Sequence, residues 1–178
     1  NPGDEVIVVS PCFFEYNNYV TNARASVVVV PASEADGFLP DVEAISRAVT
    51  PRTKAVLINN PNNPTGVIYP ESLIRRLDAA LRAKEAEFGQ PIYLISDEPY
   101  RELCYHGAKV PWLPSCCRNA IVGYSWSKSL SLPGERIGYL LIPSDTADAA
   151  LIFSAAVVAN RMLGFVNGSP QSHRYQEL

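Results

Sequence analysis

The sequence predicts an α/β fold, a three-layer α/β/α domain on a mostly parallel sheet. Three observations lead there. Strand-like runs alternate with amphipathic helical stretches over the first two thirds of the chain. The strands are continuous apolar runs, such as Val6–Val9 and Ala55–Ile58, which suits strands covered on both faces. Four polar loops, "PCFFEY", "NNPNNPTG", "SDEPY" and "SWSK", each follow such a run. In a parallel sheet these loops share the carboxyl edge, where ligands bind.

The elements follow in order. Val6–Val9, bounded by Gly3–Asp4 and Ser10–Pro11, reads as a buried strand. A short helix is expected over Phe13–Ala23, and a second strand over Val27–Val30, stopped by Pro31. Pro40–Asp41 opens a helix with Val42, Ile45 and Val49 at helical spacing, ending near Thr50–Pro51. Ala55–Ile58 is a third strand. Pro70–Glu71 starts a long helix with Leu73, Leu77 and Leu81 on one face and Arg75, Arg76, Arg82 and Lys84 elsewhere. Ile92–Ile95, Ala120–Tyr124 and Ile137–Ile142 complete the strands, and Ser144 or Asp145 is expected to cap a last helix through Leu163.

With 178 residues, 47% of them hydrophobic and 19% charged, the chain can bury a sizeable core as one domain. A net charge of −3 supplies no basic stripe, which argues against nucleic acid or an anionic membrane as partner. Cys12, Cys104, Cys116 and Cys117 fit neither a metal pattern nor a disulfide framework and read as reduced thiols of a cytoplasmic protein. No run of about 20 apolar residues occurs. The opening "NPGDEVIVVS" enters a strand at once, as though a helix preceded it, and the polar end "NGSPQSHRYQEL" loses its periodicity. Residues 1–178 are therefore expected to be part of a longer enzyme.

One lysine, Lys128, stands directly after a strand, among serines. A lysine drawn into a largely buried site loses its proton more readily, and a neutral amine forms an imine with an aldehyde. The aldehyde cofactor that needs a lysine, a carboxylate and phosphate ligands is pyridoxal 5′-phosphate, whose pyridine nitrogen requires an acidic partner. Asp97, at the end of the Ile92–Ile95 strand, can supply it.

Three motifs in this order, N-P-x-N-P-T-G, D-E-x-Y after a strand, and S-x-S-K with R-I-G-Y following, resemble the class I/II aminotransferases of the aspartate aminotransferase family, pyridoxal-phosphate enzymes of fold type I. The resemblance runs from Asn1 to about Asn167, with Arg136 eight positions after Lys128. It implies the large domain of such an enzyme, with the Ile137–Ile142 strand antiparallel. It implies amino-group transfer between an amino acid and a 2-oxo acid, a ping-pong cycle through a Lys128 aldimine, and a homodimer.

By the same resemblance Lys128 is the imine lysine and proton shuttle, and Asp97 holds the pyridine nitrogen protonated. Tyr100 and Asn63 bind the cofactor 3′-oxygen, and Phe13 stacks on the ring. Ser125 and Arg136 bind phosphate, with Ser127 a further candidate. Arginine suits that task through its planar fork of donors. Cis peptides are expected at Ser10–Pro11 and Asn63–Pro64. The family's remaining phosphate loop would lie upstream, and the arginine for the substrate carboxylate downstream in a small C-terminal domain.

Plainer readings stand beside these. Glu98 reads as part of a strand-ending turn, and Asn60 and Asn62 allow a simple Pro/Asn-rich turn. Arg24, Arg101 and Arg118 read as solvated, Trp112 and Trp126 as packing, His106 and His173 as structural or surface residues. Ser125-x-x-Lys128 also matches the S-x-x-K of penicillin-recognising serine hydrolases, with "YNN" at Tyr16–Asn18 forced into their second motif. A C–S lyase would share every residue above, and an aminotransferase-like sensor domain of a transcription regulator would bind without turnover.

Overall fold

The computed structural model describes residues 1–162. Six strands form one sheet: β1 (Glu5–Ser10), β2 (Ser26–Pro31), β3 (Thr53–Asn59), β4 (Tyr93–Asp97), β5 (Ala120–Ser125) and β6 (Gly138–Leu141). Their order is β2-β1-β3-β4-β5-β6, and all pairs are parallel except β5–β6, which is antiparallel as expected. The helices between them are α1 (Tyr16–Asn22), α2 (Val42–Ala48), α3 (Glu71–Phe88), α4 (Leu113–Cys116), α5 (Trp126–Ser129) and α6 (Ala149–Met162).

The principal core lies on one face of the sheet. Ile7, Val9, Val56, Ile58, Leu94 and Val122 meet Val42 and Ile45 of α2, and Leu73, Leu77 and Leu81 of α3. The helical spacing of those leucines puts all three on the stripe that α3 buries. Asp41 caps α2 by accepting a hydrogen bond from the Ala44 N–H at 3.0 Å. Gly89 ends α3 in the left-handed conformation, at φ 68°. The opposite face is less covered than its continuous apolar strands suggested. Leu57 and Ile95 there are only half-buried.

Three sequence expectations need correction. The first helix begins at Tyr16, not Phe13, because residues 14–15 form a turn, the Tyr16 N–H closing onto the Phe13 carbonyl at 3.3 Å. The last helix begins at Ala149, because Thr146 is drawn back to the sheet, donating its hydroxyl to the Ala120 carbonyl at 3.1 Å. Its expected end at Leu163 lies outside the described residues, as does His173. The "SWSK" segment is a helical turn, α5, not an open loop. Ser10–Pro11 and Asn63–Pro64 are cis as expected, and Asn60–Pro61 is cis as well. No helix of the described residues is long and apolar enough to cross a membrane.

Candidate active site

The parallel register brings Asn59, Asp97 and Gly123 into one row at the carboxyl ends of β3, β4 and β5. Loops leaving that row surround a cleft of about 570 Å³. Phe13, Asn63, Asp97, Tyr100, Ser125, Ser127, Lys128 and Arg136 all line it, joined by Glu15, Tyr16 and Tyr19 from the start of α1. Residues scattered over more than a hundred positions meet because each follows a strand of the same direction.

Asp97 ends β4 with its carboxylate half-buried at the cleft. Burial pushes its carboxyl above the ordinary aspartate value, and a hydrogen bond from Tyr16 opposes that shift. The Tyr16 phenol donates to Asp97 Oδ2 at 2.7 Å. Tyr16 is 4% exposed and also meets the Phe13 ring edge-on, at 5.6 Å between centroids. The loss of water, and after it the neighbouring Asp97 carboxylate, move the Tyr16 phenol far up, so it remains a donor. Sequence reasoning missed this residue. The available signal was an aromatic hydroxyl one helical turn beyond Phe13.

Asn63 and Tyr100 meet, the Asn63 amide donating to the Tyr100 oxygen at 3.3 Å. Asn59, also missed, ties Asn63 to Asp97. Its Nδ2 donates to the Asp97 carbonyl at 2.7 Å and its Oδ1 accepts the Asn63 N–H at 2.5 Å. Asn60 and Asn62 take the plainer reading. Asn60 fastens the loop to the Tyr69 backbone through its amide, and Asn62 Oδ1 accepts from the N–H and hydroxyl of Thr65.

Lys128 departs from expectation in one respect: it is exposed, not buried. It sits on the rim turn α5 with Nζ 5.9 Å from the centre of the Tyr100 ring. Arg136 is held in the left-handed region at φ 52°, unusual for a side chain of its size, and donates from Nη1 to the Pro133 carbonyl at 2.9 Å. Arg101 is not solvated as expected. It donates to the buried Glu98 at 2.6 Å and to the Val110 and Pro111 carbonyls at 3.1 and 2.6 Å, closing the loop after β4. Trp112 lies under its guanidinium, while Trp126 packs edge-on against Tyr124 and Tyr139.

The donor set suits an anionic aromatic aldehyde: an amine, a carboxylate, a phenol–amide pair, an aromatic face, and a guanidinium with serine hydroxyls. The cleft has the size of a small-molecule site. Pyridoxal 5′-phosphate fits it. No group of three or more His, Cys, Asp or Glu among the described residues could hold a metal ion. The serine-hydrolase alternative fails in its second motif, since the Tyr16 phenol is committed to Asp97 while Asn17 and Asn18 face solvent.

Comparison with known proteins agrees with the geometry. The family profile described as aminotransferase class I and II matches residues 1–169. The aspartate/prephenate aminotransferase of Thermus thermophilus is 40% identical over 149 residues, covering 84% of this chain and 37% of its own length. The arginine–pyruvate transaminase of Pseudomonas aeruginosa is 34% identical over 173 residues, covering 96% of this chain and 40% of its own. The crystal structure of an amino transferase from Eubacterium rectale superposes with a TM-score of 0.90 at 45% identity, over 94% of this chain and 42% of that one. The chain thus spans well under half the length of these relatives.

Proposed function

Because the chain belongs to the class I and II aminotransferases, we propose that it carries the cofactor half of an enzyme that moves an amino group between an amino acid and a 2-oxo acid. One observation carries the reading. Lys128, Asp97, Tyr100, Asn63 and Arg136, from the end of β4 and the segments that follow β3, β4 and β5, line a single cleft, and Asp97 accepts a hydrogen bond from the buried Tyr16 phenol.

Pyridoxal 5′-phosphate bound in this cleft supplies an aldehyde for the amino group and a cationic ring that draws electrons from the substrate carbon. The chain's residues supply the rest. Lys128 Nζ would hold the aldehyde end of the cofactor. The same Nζ would move a proton between the substrate Cα and the other end of the transfer. Asp97 offers a carboxylate to the ring nitrogen and keeps it protonated. Tyr100 and Asn63, already paired, present donors to the ring oxygen. Phe13 covers one ring face. Arg136, Ser125 and Ser127 hold phosphate through charge-assisted hydrogen bonds. We read the order as ping-pong, as the family resemblance implies, with one lysine and one cleft serving both half-reactions.

Relatives whose names give aspartate/prephenate and arginine–pyruvate chemistry align over this same region. The side-chain preference of the substrate is therefore set mainly by residues beyond it. We read the intact enzyme as a cytoplasmic homodimer, in keeping with four free cysteines and the family's habit.

The test is reduction with borohydride after addition of pyridoxal 5′-phosphate, followed by peptide mapping. Label at Lys128, lost in Lys128→Ala, is expected. Label only at Lys54, Lys84 or Lys109 would overturn the assignment.

A further inference from the structure

The turn that carries Lys128 has little of its own to hold it. α5 is four residues long, buries no side chain and has no side-chain cap. A single helical turn is unstable alone, because nucleation fixes several residues for one hydrogen bond. Yet the position of Nζ relative to the ring site depends on this turn.

An anchor lies one residue past Lys128. Ser129 Oγ is 2.7 Å from the Tyr124 hydroxyl, which is 2.9 Å from Glu102 Oε2. Tyr124 donates to Glu102, and because a phenol has one proton, Ser129 must donate to Tyr124. Hydrogen bonds so aligned polarise and strengthen one another. The Tyr124 ring is itself fixed. It is 9% exposed, stacks on Tyr139 at 5.0 Å, and receives Trp126 edge-on at 5.4 Å. Glu102 stands two residues after Tyr100, in the segment that Arg101 clamps to Glu98 and to the Val110 and Pro111 carbonyls.

We infer that Tyr124 is a positioning residue whose hydroxyl, bridging Ser129 and Glu102, fastens the turn bearing Lys128 to the turn bearing Tyr100. The inference rests on the proposed role of Lys128 for its catalytic meaning, and on the geometry alone for the fastening. Tyr124 touches no reacting atom; it acts through Ser129 and Glu102.

The experiment compares the full chain with Tyr124→Phe, Glu102→Leu, Glu102→Gln and the Tyr124→Phe/Glu102→Leu double variant. Two quantities are read. The first is hydrogen exchange across residues 126–131, with β3 as internal reference. The second is borohydride-trapped pyridoxal 5′-phosphate at Lys128, as a ratio to label at Lys54, Lys84 and Lys109. Tyr124→Phe keeps the ring and its stacking, so only the bridge is lost. It is expected to speed exchange in the turn and depress the Lys128 ratio by about fivefold each, the scale of one ordinary hydrogen bond. Glu102→Leu should do the same. Glu102→Gln, which still accepts from the phenol, should stay near wild type. The double variant should be no worse than Tyr124→Phe, because both remove one bridge. Wild-type exchange in Tyr124→Phe overturns the fastening. Faster exchange with an unchanged ratio overturns the positioning of Lys128. If wild-type Lys128 takes no label, the catalytic reading of Lys128 falls, and exchange alone decides the fastening.

Discussion

Asp97 shows how one side chain can be set by two opposing effects. Burial raises its carboxyl above the ordinary value of 3.8, and the Tyr16 phenol, bound at Oδ2, favours the ionised form. Tyr16→Phe removes only the second effect, so Asp97 is expected to titrate at higher pH than in wild type. With a raised folded-state value, this group's contribution is fully present below the unfolded value and is lost as pH rises through the folded one. In Tyr16→Phe that loss is larger and ends at higher pH. Carbon-13 NMR of the Asp97 carboxyl is the measurement, and an unchanged midpoint would count against the role of Tyr16. Asp97→Asn keeps the shape and the Tyr16 contact but cannot hold a proton on a ring nitrogen. Turnover of the intact enzyme should fall at least about a hundredfold, with the unfolding midpoint nearly unchanged. Wild-type turnover in Asp97→Asn would refute the assignment.

At the scale of elements, the antiparallel β5–β6 pair explains a glycine of the R-I-G-Y motif. Gly138 pairs with Ser125, and a Cβ on it would meet the Tyr124 carbonyl oxygen at 2.3 Å. That neighbour is backbone and cannot swing away. Gly138→Ala must therefore push β5 and β6 apart just where Ser125 leads into α5. A stability loss of about 1–3 kcal/mol is expected, as for other overpacked sites. Reduced trapping of pyridoxal 5′-phosphate at Lys128 should accompany it. Denaturant titration and peptide mapping would measure both, and a fully stable Gly138→Ala chain would show that the strand pair has slack. Asp41→Ala, by contrast, removes only the cap of α2, far from the cleft, and should cost about 1 kcal/mol with trapping unchanged.

For the whole molecule the question is how much of an active site residues 1–178 hold. They bring together an amine, a ring carboxylate, ligands for the ring oxygen and a small phosphate set. We propose, as the family resemblance implies, that further phosphate donors and the arginine for the substrate carboxylate lie outside this stretch. Each missing charge-assisted hydrogen bond is worth roughly 1.5–3 kcal/mol, so two or three of them change affinity by orders of magnitude. An unanchored substrate also forgoes the orientation that can lower a barrier by about 7–11 kcal/mol. Residues 1–178 expressed alone should bind pyridoxal 5′-phosphate weakly and turn over no amino acid. Absorbance titration and assay with 2-oxoglutarate would check this, and sub-micromolar binding with steady turnover would contradict it.

The sequence by itself determined the strand and helix alternation, the antiparallel last strand through its family likeness, and the cleft side chains, because each lies in a motif tied to a strand end. Hydrophobic periodicity and strand-end loops are local properties, legible within about ten residues. What only the tertiary structure decided are pairings between distant segments. Tyr16 reaches Asp97 across 81 positions, and Glu102 meets Tyr124 across 22. Arg101, read as solvated from its neighbours in sequence, is recruited by carbonyls nine and ten residues away. The exposure of Lys128 belongs with these. A lysine's solvation depends on what stands over it in space, and no residue beside it in the chain carries that information.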